Sequence, residues 1–99
     1  MRIIARKTLV DFWERPEHRD AEQPLKAWFA EARVADWRTP ADIKTKYRHA
    51  SILGDNRVAF NIGGNKYRLV VKFHYGTGIG YIRFVGTHAE YNRIDAETI

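Results

Sequence analysis

Two hydrophobic periods run along this chain of 99 residues, and the change between them falls near Ser51. Before it, apolar residues recur with the period of a helix. Leu25, Trp28, Phe29 and Ala32 stand at i, i+3, i+4 and i+7, one stripe of an amphipathic helix that ends near Asp36. Glu22 and Lys26 lie one turn apart on the opposite side. Trp28 and Phe29 are expected to pack on a sheet. Leu9, Phe12 and Trp13 form a shorter stripe, with Thr8 and Asp11 at the spacing of a capping box. Pro16 ends that helix, and PEHRD reads as a polar loop. Ile3 and Ile4 suit a short strand over 2–5. Thr39-Pro40-Ala41-Asp42 combines a cap hydroxyl, a proline at the first helical position and an acid at the third. It predicts a third helix to about Arg48, with Ile43 and Tyr47 inward.

After Ser51 the period is two. Val58, Phe60 and Ile62 alternate with Arg57, Ala59 and Asn61, and Asp55-Asn56 reads as a turn before them. Gly63-Gly64 predicts a two-residue hairpin turn with positive φ at both positions. In the next strand Tyr67, Leu69, Val71, Phe73 and Tyr75 share one face. Lys66, Arg68, Val70, Lys72 and His74 share the other, which is expected to be the outward one. Gly76-Thr77-Gly78 makes a further turn. Residues 79–86 are more continuously apolar than the strand before them, as in a central strand, and Gly80 marks a bulge or a close backbone approach. Thr87-His88-Ala89-Glu90-Tyr91 is another capping-box pattern, placed just after that strand.

Composition sharpens this picture. A chain of this length with 44% apolar residues sustains one core and one domain. With no cysteine, disulfides, thiolate metal sites and cysteine nucleophiles are excluded. MRIIARKTLV holds too short an apolar run for a signal peptide, and no stretch is long enough to span a bilayer. We therefore expect a cytoplasmic protein with no membrane partner. The net charge of +5 is unevenly placed. Residues 1–56 carry 11 Lys/Arg against 9 Asp/Glu, whereas residues 57–94 carry six against one. A concentrated cationic surface points to a polyanion, most simply nucleic acid. Lys44, Lys46, Arg48 and His49 form a second, smaller basic cluster. It either flanks the main cationic surface or is a solvated helix face, and the solvated face is the simpler reading.

Candidate chemistry follows from the strand faces. Lys66, Arg68, Lys72 and His74 project from one strand, and Arg83 from its neighbour. His88 and Tyr91 follow that neighbour, and Arg93 adds a further cation. RNA carries its own nucleophile, the 2′-hydroxyl, so cleavage needs only a base, an acid and positive charge at the phosphorane. Arg68 suits bidentate phosphate contact, with Lys66 as a second cation. His88 suits acid or base work, and Tyr91 can stack on a base or relay a proton. If Thr87 starts a helix, its free N–H groups favour a phosphate. His18, His49, His74 and His88 lack a metal-ligand spacing, and the second half has almost no carboxylate for Mg²⁺. No metal or cofactor is expected.

The run FNIGGNKYRLVVKFHY…GYIRFVGTHAEY, together with the N-terminal strand and the segment ADWRTPADIK, resembles the HigB-type toxins of bacterial toxin–antitoxin modules, a branch of the RelE/ParE superfamily. The resemblance implies an α+β single domain, a small twisted antiparallel sheet with N-terminal helices on one face. It implies a metal-independent, ribosome-dependent mRNA endoribonuclease whose partners are mRNA, the ribosome and a HigA-like helix-turn-helix antitoxin. Arg68 matches the strand arginine associated with the scissile phosphate. His88 and Tyr91 match the region of the C-terminal catalytic side chains. Two other functions stand beside it: a non-catalytic inhibitor of a protein target such as gyrase, and a non-catalytic RNA- or ribosome-binding module.

Overall fold

The computed structural model describes residues 1–99. Five strands form one sheet in the order β1-β5-β4-β3-β2. They are β1 (Arg2–Ile4), β2 (Ser51–Ile52), β3 (Arg57–Ile62), β4 (Tyr67–His74) and β5 (Ile79–Thr87). The helices are α1 (Arg6–Trp13), α2 (Glu22–Val34), α3 (Pro40–Lys46) and α4 (His88–Tyr91). The α+β class and the N-terminal helices over one sheet face are as the resemblance implies. The sheet is mixed, because β1 runs parallel to β5 while every other pair is antiparallel.

The buried face of the sheet is the one the alternation predicts. Val58, Phe60, Ile62, Tyr67, Leu69, Val71 and Phe73 pack against Leu9, Phe12, Leu25 and Trp28. Trp28 meets Phe60 at 5.3 Å between ring centroids. Phe29 is only half-buried, and the Arg6 guanidinium covers its ring at 5.4 Å. The expected bond between Glu22 and Lys26 forms at 2.5 Å. Gly80 is a site of close approach: a Cβ there would stand 3.0 Å from Phe73 and 3.1 Å from Ile3.

Several local expectations are corrected. Thr8 does not cap α1, which begins at Arg6 behind Ala5 and has no side-chain cap. Asp11 pairs instead with Lys7 at 2.7 Å, a contact one helical turn long. PEHRD is not a free loop. Pro16–Ala21 winds as a 3-10 helix whose His18 is buried and stacked on Phe12 at 4.0 Å. The bulge lies later in β5 than Gly80. Val70 pairs with Phe84 and Val71 with Ile82, so Arg83 is the extra residue.

Two corrections bear on function. Gly63 and Gly64 do adopt positive φ, 62° and 68°, but the turn is longer than two residues. A two-residue turn would pair Ile62 with Asn65. Here Ile62 pairs with Tyr67 and Asn61 with Arg68. The second sheet face is also not open. Leu53, Phe84, Tyr91, Ile94, Ala96 and Ile99 pack over Ala59 and Val70, making a small second core. Full burial of a valine contributes about 1.5–3 kcal/mol, which a solvated face would forgo.

Candidate functional site

The second face of β4 divides into a near end at Arg68 and a far end at Lys72 and His74. In an extended strand these ends are about 13 Å apart. At the near end Arg68 is buried, with 7% of its surface exposed. Its Nη1 donates to Asn61 Oδ1 at 2.7 Å, and its Nη2 donates to Ser51 Oγ at 3.1 Å. The Nε–H is enclosed without a partner. The ring of Tyr91 lies over the guanidinium, 4.6 Å from Cζ, at the distance of a cation–π contact. His88 stands beside Tyr91, with ring centroids 6.1 Å apart. No protein group takes either ring nitrogen of His88.

The local sequence explains how these groups meet. Asn61 lies directly across the ladder from Arg68, so the two side chains share a face at close range. Gly86, on the other side of Arg68, leaves room for the Phe84 ring and the Glu90 carboxylate, which a Cβ there would meet at 2.6 and 3.0 Å. The predicted capping box at Thr87 forms in full. Thr87 N–H donates to Glu90 Oε1 at 2.8 Å, and Glu90 N–H donates to Thr87 Oγ1 at 3.1 Å. The backbone bond from Thr87 holds the Glu90 carboxyl below its usual range. His88 N–H donates to the Lys66 carbonyl at 3.3 Å. These three N–H groups are therefore engaged, and the first turn of α4 is not the open phosphate cradle expected of it. What α4 does is lay the Tyr91 ring over Arg68 and hold His88 beside that ring.

Lys66 falls outside this group. Its ammonium bonds to Asp20, which also accepts from the Tyr67 phenol. Asp20 is accordingly held below the ordinary carboxylate range, first by Lys66 and then by Tyr67. The same bond raises Lys66, while burial ahead of Asp20 raises Tyr67. The far-end cations are also occupied. Lys72 lies 3.7 Å from Asp55, which accepts from Arg57 at 2.8 Å. Arg83 and Arg57 both donate to the main-chain oxygen of Ile99. His74 Nδ1 bonds with Thr77 Oγ1 at 2.8 Å, and Arg93 is exposed. Of the expected residues, Tyr91 meets both Arg68 and His88. Lys66, Lys72, His74 and Arg83 are bound elsewhere. No three His, Asp or Glu side chains converge to hold a metal ion.

Sequence reasoning missed Asn61, Ser51 and Asp20. Cross-strand pairing would have found Asn61 had the turn length been known. Lys44, Lys46, Arg48 and His49 of the smaller basic cluster are all exposed, as expected of a solvated face. Lys46, Arg48 and His49 line a cavity of about 610 Å³ that also reaches Asn61 and Gly64, so the cluster adjoins the Arg68 site.

The fold and site define a small α+β domain in which a strand arginine, clamped by a cross-strand amide, is covered by a tyrosine ring that stands beside a histidine on a short C-terminal helix. The chain belongs to the HigB toxin family, described as the RelE-like toxic component of a toxin–antitoxin system, whose family model matches residues 21–94. Membership implies an antitoxin partner. No curated protein matches the chain significantly. No helix is long and apolar enough to cross a membrane.

Proposed function

We propose that this toxin is a ribosome-dependent mRNA endoribonuclease of the cytoplasm, neutralised by a HigA-like helix-turn-helix antitoxin. The observation that carries the reading is the chain of contacts from Arg68 through Tyr91 to His88. In the proposed reaction a ribose 2′-oxygen attacks the adjacent phosphorus and the bond from phosphorus to the 5′-oxygen breaks. The products are a 2′,3′-cyclic phosphate and a 5′-hydroxyl. One proton leaves the 2′-oxygen and another reaches the 5′-oxygen. An imidazole with free nitrogens can move such a proton at neutral pH, and His88 takes that role.

Arg68 has two of its five donors engaged and a third enclosed. One N–H on each Nη remains to meet charge developing on the phosphorane. The Tyr91 ring swings off the guanidinium as the phosphate enters and stacks on a flanking base. None of these steps requires a metal ion.

Single-turnover cleavage of mRNA on programmed ribosomes tests the reading. Arg68→Ala and His88→Ala should each lower the rate roughly 10²- to 10³-fold. Undiminished cleavage and growth arrest in both variants would remove the site assignment. DNA damage without mRNA loss would identify a different target altogether.

A further inference from the structure

The cavity beside Asn61 is not used by the proposed reaction, yet its chemistry is one-sided. It lies between the loop after α3 and the turn joining β3 to β4. Lys46, Arg48 and His49 line it, with no carboxylate among the lining residues. Lys46 keeps a loose contact of 3.7 Å with Glu31, while Arg48 and His49 make no ion pair. The loop that carries them is fastened. Lys44 Nζ donates to the carbonyls of Arg48 and Ala50, both at 2.7 Å. Below them the Tyr47 phenol donates to Glu31 at 2.5 Å, and its ring packs edge-on against Phe60 at 5.2 Å. These cations therefore stand on a held segment rather than a loose one.

Asn61 links this cavity to the reaction site. Its Oδ1 is committed to Arg68, which leaves the amide Nδ2 with two donors and no protein partner. Gly64 forms part of the rim, where a Cβ would meet nothing within 4 Å, so a strand of chain can pass close to the backbone. The volume is within the range of about 300–1,000 Å³ typical of small-ligand sites. A cationic cavity with an amide donor, one side chain removed from Arg68, has the features that hold a nucleotide: positive charge for its phosphate and an N–H₂ for a ribose or base acceptor.

We propose that this cavity is an RNA subsite that binds the nucleotide next to the scissile phosphate, with Lys46 and Arg48 on its phosphates and Asn61 bridging to Arg68. The proposal rests on the reading of the chain as an RNA-cleaving toxin. It gives Lys46 and Arg48 a positioning role and no part in proton transfer.

The test measures binding of a short 2′-O-methyl RNA oligonucleotide, which cannot be cleaved, across a salt series. The same proteins are assayed for KM and kcat on programmed ribosomes. The Lys46→Ala/Arg48→Ala double variant should bind the oligonucleotide roughly tenfold more weakly at low salt. Its log K against log salt slope should be shallower by about 1.4, since each single-strand phosphate contact accounts for about 0.7. Its KM should rise while kcat stays near the parent value. Lys7→Ala/Arg33→Ala removes the same charge from the helical side and should change neither quantity. His88→Ala should lower cleavage roughly 10²- to 10³-fold and keep the oligonucleotide affinity. A parent protein that cleaves, with a double variant that matches it in slope and KM, overturns the subsite and spares the nuclease. A parent that never cleaves, but whose RNA affinity depends on Lys46 and Arg48, supports the subsite and removes the nuclease. Loss of antitoxin affinity with unchanged RNA affinity assigns the cavity to the antitoxin and overturns the proposal.

Discussion

Asn61 offers the sharpest separation of stability from function in this site. Its amide oxygen is one of two hydrogen-bond acceptors for a guanidinium that is 7% exposed. Asn61→Ala strands the Nη1 donor beside an Nε–H that already lacks a partner. A hydrogen bond to a charged group contributes about 1.5–3 kcal/mol. For a domain of this size, 1 kcal/mol moves Tm by about 4–8 °C, so the loss is roughly 6–24 °C. Water reaching the half-buried position places the expected value near the lower end. Asn61→Asp keeps the acceptor and adds attraction to Arg68, so its Tm should equal or exceed that of the parent. Its new anion, however, opposes the substrate phosphate. At about 6 Å and an effective dielectric of about 20, the repulsion is about 2.8 kcal/mol, or roughly a 100-fold loss of cleavage. Thermal denaturation by circular dichroism and single-turnover cleavage read the two effects separately. The reasoning is refuted if Asn61→Ala melts with the parent protein, or if Asn61→Asp cleaves as fast as the parent.

Two further outcomes follow from the same geometry. Thr87→Ala removes the hydroxyl that accepts from Glu90 N–H and should destabilise α4 by about 1 kcal/mol. Amide hydrogen exchange should quicken near Tyr91 while exchange in β4 stays slow, and uniform quickening would count against a local cap. Acid should also destabilise the fold in a defined window. Asp20 is held below its ordinary value by Lys66, Asp42 by the Arg38 backbone, Asp55 by Arg57 and Glu90 by the Thr87 backbone. A depressed carboxylate stabilises the fold above the unfolded value, near pH 4, and loses that contribution as pH falls through the folded value. Denaturant midpoints should therefore stay level from neutrality to about pH 5 and fall below it, and Asp20→Asn should shrink the fall. A variant whose acid profile overlays the parent would show that Asp20 carries none of it.

Much of the scaffold was legible in the residue pattern. The stripe at Leu25, Trp28 and Ala32 specified a helix and its buried side. The odd positions of β4 specified the core face, and Thr39-Asp42 and Thr87-Glu90 specified two helix starts that form as read. These signals are local: a stripe or a cap needs only residues within one or two turns. Thr8-Asp11 carried the same signal and failed, because α1 begins at Arg6 and Lys7 takes the carboxylate. The fate of the cations was less legible. Each of Lys66, Arg57, Lys72 and Arg83 meets a partner fixed by tertiary packing or by a turn, which a count of charges along β4 does not contain.

Arg68 marks the boundary between the two kinds of information. Its residue type and position on the minor face of β4 were readable from alternation alone. Its burial, its clamp and its neighbours were not. A pattern of period two is unchanged when one strand slides by two residues, so hydrophobicity cannot choose between a turn of two and a turn of four. The longer turn brings Asn61 opposite Arg68. The bulge at Arg83 and the packing of residues 94–99 then close over Val70, and α4 lays Tyr91 on the guanidinium. Contacts between residues far apart in the chain depend on register and packing, and those depend on the whole fold.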